Sequence, residues 1–190
     1  MIVLSGGQSV IGIGHSLGGS LFGFADNLNK LQKMIHLSCQ SGYYGYHPLK
    51  TRLHMLFHIY LAMPLLTGLL GYYPAHWMSG SVALPAGFVT EWSAWCLRRR
   101  YFMDERFGIK GMAHHADYTG TLLSLSFDDD VYATRQSVDA MAACYPNSQL
   151  ERRHLSPTDF AAKALGHFAL FKPSNGRRIW ELVANWSQAG

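Results

Sequence analysis

The hexapeptide Gly14-His15-Ser16-Leu17-Gly18-Gly19 constrains this chain more than any other segment. An apolar, mostly β-branched run, Val10-Ile11-Gly12-Ile13, precedes it. Helical spacing follows it over residues 20–29, with Leu21, Phe22 and Leu28 available for burial. The order is buried strand, tight turn, helix. A serine in such a Gly-x-Ser-x-Gly turn sits at a strained corner, where side chains at Gly14 and Gly18 would crowd neighbouring backbone. The corner lifts the Ser16 hydroxyl above the sheet. It also sets the Leu17 amide at the start of the helix, able to donate to negative charge developing on a nearby oxygen.

A second buried strand is expected over residues 34–38, followed by a Gly- and Tyr-rich loop at 40–45. From Pro48 to Phe107 the character changes. Two helical patterns, over residues 51–70 and 88–100, flank a Gly- and Pro-rich stretch at 72–87. Residues 121–127 form a further apolar run closed by Asp128, Asp129 and Asp130. Helical spacing returns at 135–144, a strand is expected at 150–155 and an amphipathic helix at 178–186. Strands alternating with helices imply an α/β fold: a mostly parallel sheet flanked by helices, with an inserted helical cap. The expected division is 1–47 for the part of the core that carries the Ser16 corner, 48–107 for the cap and 108–190 for the rest of the core.

With 48% hydrophobic and 15% charged residues, the chain has the composition of an ordinary globular protein rather than a disordered one. Lys and Arg outnumber Asp and Glu by 16 to 12. The basic residues fall in short clusters at 98–100, 152–153 and 177–178, so no nucleic-acid partner is expected. Cys39, Cys96 and Cys144 form neither a CxxC pair nor a zinc rhythm, which fits a reducing, cytoplasmic setting. Residues 1–8 lack the positive region and long apolar core of an export signal. Residues 53–70 approach the length of a membrane span, yet His54, His58 and Pro64 would be costly or disruptive in lipid. The segment reads as an amphipathic cap over an apolar pocket, with no membrane span.

In its strand-turn-helix context the hexapeptide resembles the nucleophile elbow of the α/β-hydrolase superfamily. The likeness extends down the chain. Leu122 to Phe127 leads into Asp128-Asp129-Asp130-Val131-Tyr132-Ala133, and Leu165-Gly166-His167-Phe168 follows, so serine, aspartate and histidine come in the superfamily's order. More specifically, the chain is similar to a family of predicted, largely uncharacterised bacterial α/β-hydrolases. These share the elbow, an aromatic loop like Ser41-Gly42-Tyr43-Tyr44 and a Gly-His-Phe near the end. The resemblance implies the α/β-hydrolase fold, Ser16 as nucleophile, Asp130 as acid and His167 as base, with the Leu17 amide as oxyanion donor and no cofactor. The register of the acid loop puts Asp130 in the acid position and Thr134 where proline is common. Asp129 is the alternative, and at least two of the three aspartates are expected to be solvated or helix-capping.

The implied chemistry is acyl transfer from a small-molecule ester or similar substrate through an acyl-enzyme, and an acyltransferase would use the same residues. Leu65, Leu66, Leu69, Leu70, Tyr72, Tyr73 and Trp77 read either as a pocket for a hydrophobic group or as the core of the cap. His15 is not expected to be the base. His54 and His58 share a helical face without a carboxylate to complete a site, and adjacent His114 and His115 point apart, so no metal is expected.

Complete members of the superfamily have strands and a helix before the elbow, so the chain is expected to lack the N-terminal strands of the fold. That would remove the loop supplying a second oxyanion donor, at a cost on the order of a hundredfold in rate, and would expose the edge of the Val10 strand. The second reading is therefore a catalytically impaired remnant acting as a binding or interaction module. It would work through its cap pocket or by pairing across that sheet edge, with a homo-oligomer as one form.

Overall fold

The computed structural model describes residues 10–79 and 82–189; the reading of residues 1–8 as lacking an export signal lies outside them. In chain order the elements are β1 (Val10–His15), α1 (Leu17–Ser20), β2 (Leu31–Leu37), α2 (Leu49–Phe57), α3 (Met63–Leu70), β3 (Tyr72–Tyr73), α4 (His76–Ser79), β4 (Leu84–Pro85), α5 (Ala86–Cys96), β5 (Thr121–Phe127), α6 (Arg135–Ala142), β6 (Gln149–Leu155) and α7 (Pro173–Gln188). The chain divides into two compact units, Met1–Ser41 with Gly111–Gly190, and Gly42–Lys110 inserted between those segments.

The first unit is built on a wholly parallel sheet in the order β1-β2-β5-β6. Leu122, Leu123, Leu125 and Phe127 of β5 are all buried although successive side chains point to opposite faces, because both faces are covered. On one face Ile35, Leu37, Leu123, Leu125 and Phe127 pack with Phe160, Leu165, Leu170 and the α7 residues Ile179, Val183 and Trp186. On the other, Met34 and Leu122 meet Leu28, Leu31, Tyr118 and Tyr145. Among the described residues β1 and β6 are the outer strands.

The helix expected over residues 20–29 is not continuous. α1 ends at Ser20, and two 3₁₀ turns, Phe22–Phe24 and Leu28–Lys30, follow. Gly18, Gly19 and Gly23 weaken the helix, and Gly23 must stay small because a Cβ there would lie 2.2 Å from the His115 ring. The helix expected over 88–100 runs over Ala86–Cys96 instead.

In the second unit α2, a π-helical turn at His58–Ala62 and α3 form one helix, Leu49–Leu70. Pro64 does not break it. It stands in the first turn of α3, directly after the π turn, where the hydrogen-bond ladder has already changed pitch. Gly71, at φ 76°, ends the helix in the left-handed conformation that suits glycine. The core of this unit is Met63, Tyr73, Ala75 and Val89, with Leu66, Leu84, Phe88 and Trp92 against it. Of the residues expected to form a pocket or the core of the cap, Leu66 and Tyr73 are in the core, whereas Leu65, Leu69, Leu70, Tyr72 and Trp77 are exposed. The helix carries apolar residues on its outer side as well, and the packed face cannot bury them.

Back in the first unit, His36 on β2 is buried against the rings of Phe22 and Tyr145, and both of its ring nitrogens lack a hydrogen-bond partner among the described residues. Burial, with the neighbouring His115 adding to it, pushes its pKa down to about 3. Burial likewise takes His115 down to about 4. In an unfolded chain both would titrate near ~6.5. Below that pH the unfolded chain binds more protons than the folded one, so folding stability falls as pH drops from the unfolded towards the folded values. Urea unfolding at a series of pH values from about 7 to about 4 is expected to show a loss of up to ~1.4 kcal/mol per pH unit for each histidine. His36→Leu is expected to flatten that slope; an unchanged slope would rule His36 out as a source.

Candidate active site

β1 ends at His15 and α1 begins at Leu17, which leaves Ser16 alone at the corner with φ 54° and ψ −134°. Positive φ is uncommon for a residue that carries a Cβ. The corner is held by the Ser16 amide, which donates to the Leu37 carbonyl of β2 at 2.9 Å, and by the Ser16 carbonyl, which accepts from the Ser20 amide and hydroxyl. α1 passes close to β1: a Cβ on Gly14 would stand 2.3 Å from the Gly19 Cα, and one on Gly19 would stand 2.3 Å from the Cys39 Sγ. Gly18, expected to be crowded, faces open space. The third residue of α1, not the second, is turned towards β1.

The structure brings Ser16, His167 and Asp130 together. The Ser16 hydroxyl lies 2.9 Å from Nε2 of His167, and Nδ1 of His167 lies 2.8 Å from Oδ2 of Asp130. The other carboxylate oxygen of Asp130 accepts the amides of Tyr132 and Ala133, both at 2.9 Å. Burial by itself would raise the Asp130 carboxyl, but its bond to His167, the charge of that ring and the Ala133 amide outweigh burial and hold the carboxyl below its ordinary range. With Nδ1 donating to a carboxylate, Nε2 of a neutral ring is left to accept from the serine.

Asp129 stands elsewhere. Its two oxygens accept the amides of Leu165 at 2.7 Å and Gly166 at 3.0 Å, so it clasps the backbone just ahead of His167. Gly166 takes φ 69° there. Asp128 pairs with Nε2 of His154 at 2.7 Å, and Nδ1 of His154 lies 2.6 Å from the Ser126 hydroxyl. Asp128 is a solvated loop carboxylate as expected, though it also pairs with His154, whereas Asp129 is held by backbone amides of a distant loop rather than being solvated or helix-capping. The helix cap at this point is Thr134, whose hydroxyl accepts from Ser137 at the start of α6. Ser126, His154 and Asp128 form a second serine-histidine-aspartate array, but its hydroxyl is fully buried and accepts from the Arg152 guanidinium at 2.6 Å. A hydroxyl closed off from solvent cannot meet a substrate; this array ties β5 to β6.

The contacts of several neighbours of Ser16 were not foreseen from sequence. His15 donates from Nε2 to the His167 carbonyl at 2.8 Å and packs its ring against Phe168 and Phe171, so it is a clasp and not the base. Burial lowers its pKa. The Gln40 side-chain amide lies 3.5 Å from the Ser16 hydroxyl. Tyr132 and Phe168 set their rings edge-on to His167 and, with Phe171, remain half-exposed. The available signal was position: Gln40 follows the strand beside the elbow, and the aromatics flank the acid and the histidine. Among the described residues no three His, Cys, Asp or Glu side chains are grouped so as to hold a metal ion. The rings of His54 and His58 meet edge to face, their centres 4.3 Å apart.

No family model matches the chain, and no curated protein matches it in sequence. Solved structures do match in fold. A monoacylglycerol lipase from Paleococcus ferrophilus aligns over 95% of this chain and 68% of its own, with 13% identity and a TM-score of 0.53. Mouse alpha/beta hydrolase domain-containing protein 10 aligns over 97% of this chain and 63% of its own, with 14% identity and a TM-score of 0.48. By its sheet and its likeness to the lipase this chain has the α/β-hydrolase fold, and it spans about two thirds of the length of the solved structures it matches.

Proposed function

We propose that this chain is a serine hydrolase that acts on an ester or similar acyl substrate bearing a hydrophobic group. The observation that carries the reading is the unbroken hydrogen-bond chain from the Ser16 hydroxyl through both nitrogens of His167 to the buried Asp130 carboxylate. As Oγ of Ser16 attacks the acyl carbonyl carbon, His167 takes its proton at Nε2, and the Asp130 carboxylate compensates the positive ring. Negative charge passes to the former carbonyl oxygen. In this reading the Leu17 amide, at the start of α1, donates to it, and the Gln40 side-chain amide, 3.5 Å from the Ser16 hydroxyl, serves as a further donor. Collapse of the tetrahedral species expels the alcohol, which receives the proton from His167. Water then repeats the sequence on the acyl-enzyme and frees Ser16.

The hydrophobic preference rests on the first unit alone. Tyr132, Phe168 and Phe171 surround His15 and His167 and leave much of their apolar surface exposed. The buried thiols of Cys39 and Cys96, raised by burial, are poor nucleophiles, so the serine is the better candidate and a reducing, cytoplasmic setting suits them.

Turnover of short and medium p-nitrophenyl esters, with fluorophosphonate labelling, tests the reading. Wild type is expected to be labelled and to turn over ester, and Ser16→Ala to lose both; a folded wild type with neither signal would leave a binding module as the better account. Asp130→Asn is expected to lower kcat by on the order of 10³–10⁴-fold while the fold persists. Asp129→Asn should act more mildly, because it loosens a loop rather than the charge partner of the ring. Equal effects from the two would sink the assignment of roles.

A further inference from the structure

The helix Leu49–Leu70 presents an apolar face to solvent along its whole length. Leu49, Leu53, Phe57, Leu61, Leu65 and Leu69 recur every fourth residue, and each is more than half exposed. In a regular α-helix a four-residue spacing drifts about 40° around the axis at each step. The wider π turn at His58–Ala62 offsets part of that drift midway, and exposed Tyr60 and Pro64 broaden the face there. No acidic residue occurs in the helix, and Lys50 stands exposed one turn before Leu53 and His54. An uninterrupted apolar face of this length marks an interaction surface on a soluble unit.

Charge identifies what covers it. Residues 42–110 hold seven Lys and Arg against three Asp and Glu, a net +4, whereas the remainder of the chain holds nine of each and is neutral. The whole net charge of the protein thus belongs to the unit that carries the apolar face. A second copy would bring two such cationic units together, whereas an anionic phospholipid surface offers acyl chains to the apolar face and negative headgroups to the unit. Exposed Tyr60, Tyr72 and Trp77 are of the type that settles at the boundary between the two. A transmembrane course does not fit, because the inner face is engaged: Ile59 and Met63 are buried, and Met63 packs with Tyr73, Ala75 and Val89.

We infer that this protein binds reversibly to anionic phospholipid membranes, with the helix Leu49–Leu70 lying in the plane of the surface and its Leu53-Phe57-Leu61-Leu65-Leu69 face in the acyl boundary. This holds whatever reaction Ser16 performs. The test is flotation of the full chain with vesicles of phosphatidylcholine alone or of phosphatidylcholine mixed with phosphatidylglycerol, alongside analytical ultracentrifugation without lipid. Wild type is expected to sediment as a monomer and to partition onto the mixed vesicles at least ~10-fold better than onto phosphatidylcholine, with the difference lost in high salt. The triple variant Phe57→Ser, Leu61→Ser, Leu65→Ser alters exposed positions. It is expected to keep its melting temperature and lose binding by about 10-fold or more. Should the triple variant fail to fold, Lys50→Glu serves instead, with weaker binding to the mixed vesicles only. Absence of vesicle binding, binding indifferent to these variants, or a wild-type dimer dispersed by the triple variant would each overturn the inference, the last by making the face a self-interface.

Discussion

Asp129 and Asp130, adjacent in the chain, both reach the same short loop, one through its backbone and the other through its ring. A buried carboxylate is tolerable only when its oxygens are engaged. Here the Asp129 oxygens lead to the His167 segment, and those of Asp130 lead to the His167 ring and back into the loop that bears the aspartates. The two loops therefore cannot move independently, and His15 adds a third anchor from the elbow side through the His167 carbonyl. Alignment of Ser16, His167 and Asp130 follows from this lattice of backbone contacts more than from any side-chain rotamer. His154 and Arg152 anchor the end of β5 from behind, through Asp128 and Ser126.

Much of the first unit was legible because its signals are local. The β-branched run, the glycines and the serine of the elbow fall within ten residues, and residues 121–127 are apolar almost throughout, as a strand buried on both faces must be. The fold class followed from that alternation. What was not legible depended on contacts between distant residues. Gly19 rather than Gly18 is crowded because Cys39 and Gly14 lie against it, and Gly23 interrupts the expected helix because His115, far along the chain, occupies the space beside it. Among the aspartates, register favoured Asp130. The separate partners of Asp128 and Asp129 arise from His154 and from the amides of residues 165 and 166, which no local pattern announces.

The inserted unit was harder to read for a different reason. An apolar helix carries the same hydropathy whether its residues face a core, a pocket or a bilayer, and only the fold shows which face is engaged. Pro64 argued against a membrane span, and the π turn before it lets the expected helix run on. The consequence is a surface whose composition resembles an interior. The net positive charge of the chain turns out to fall in that one unit.

The parallel order of the sheet bears on how the protein comes into being. Ser16 and His167 are separated by 151 positions in the chain, and no strand of the main sheet pairs with its neighbour through a tight hairpin. Topologies of that kind fold slowly, because distant segments must be joined before any contact rewards the joining. The Ser16 corner follows β1, whereas Asp130 and His167 lie beyond β5 and β6, so the hydrogen-bond chain that joins the three side chains exists only once those strands have paired. In a chain whose sheet has not yet closed up, Ser16 is an ordinary serine hydroxyl without its histidine partner.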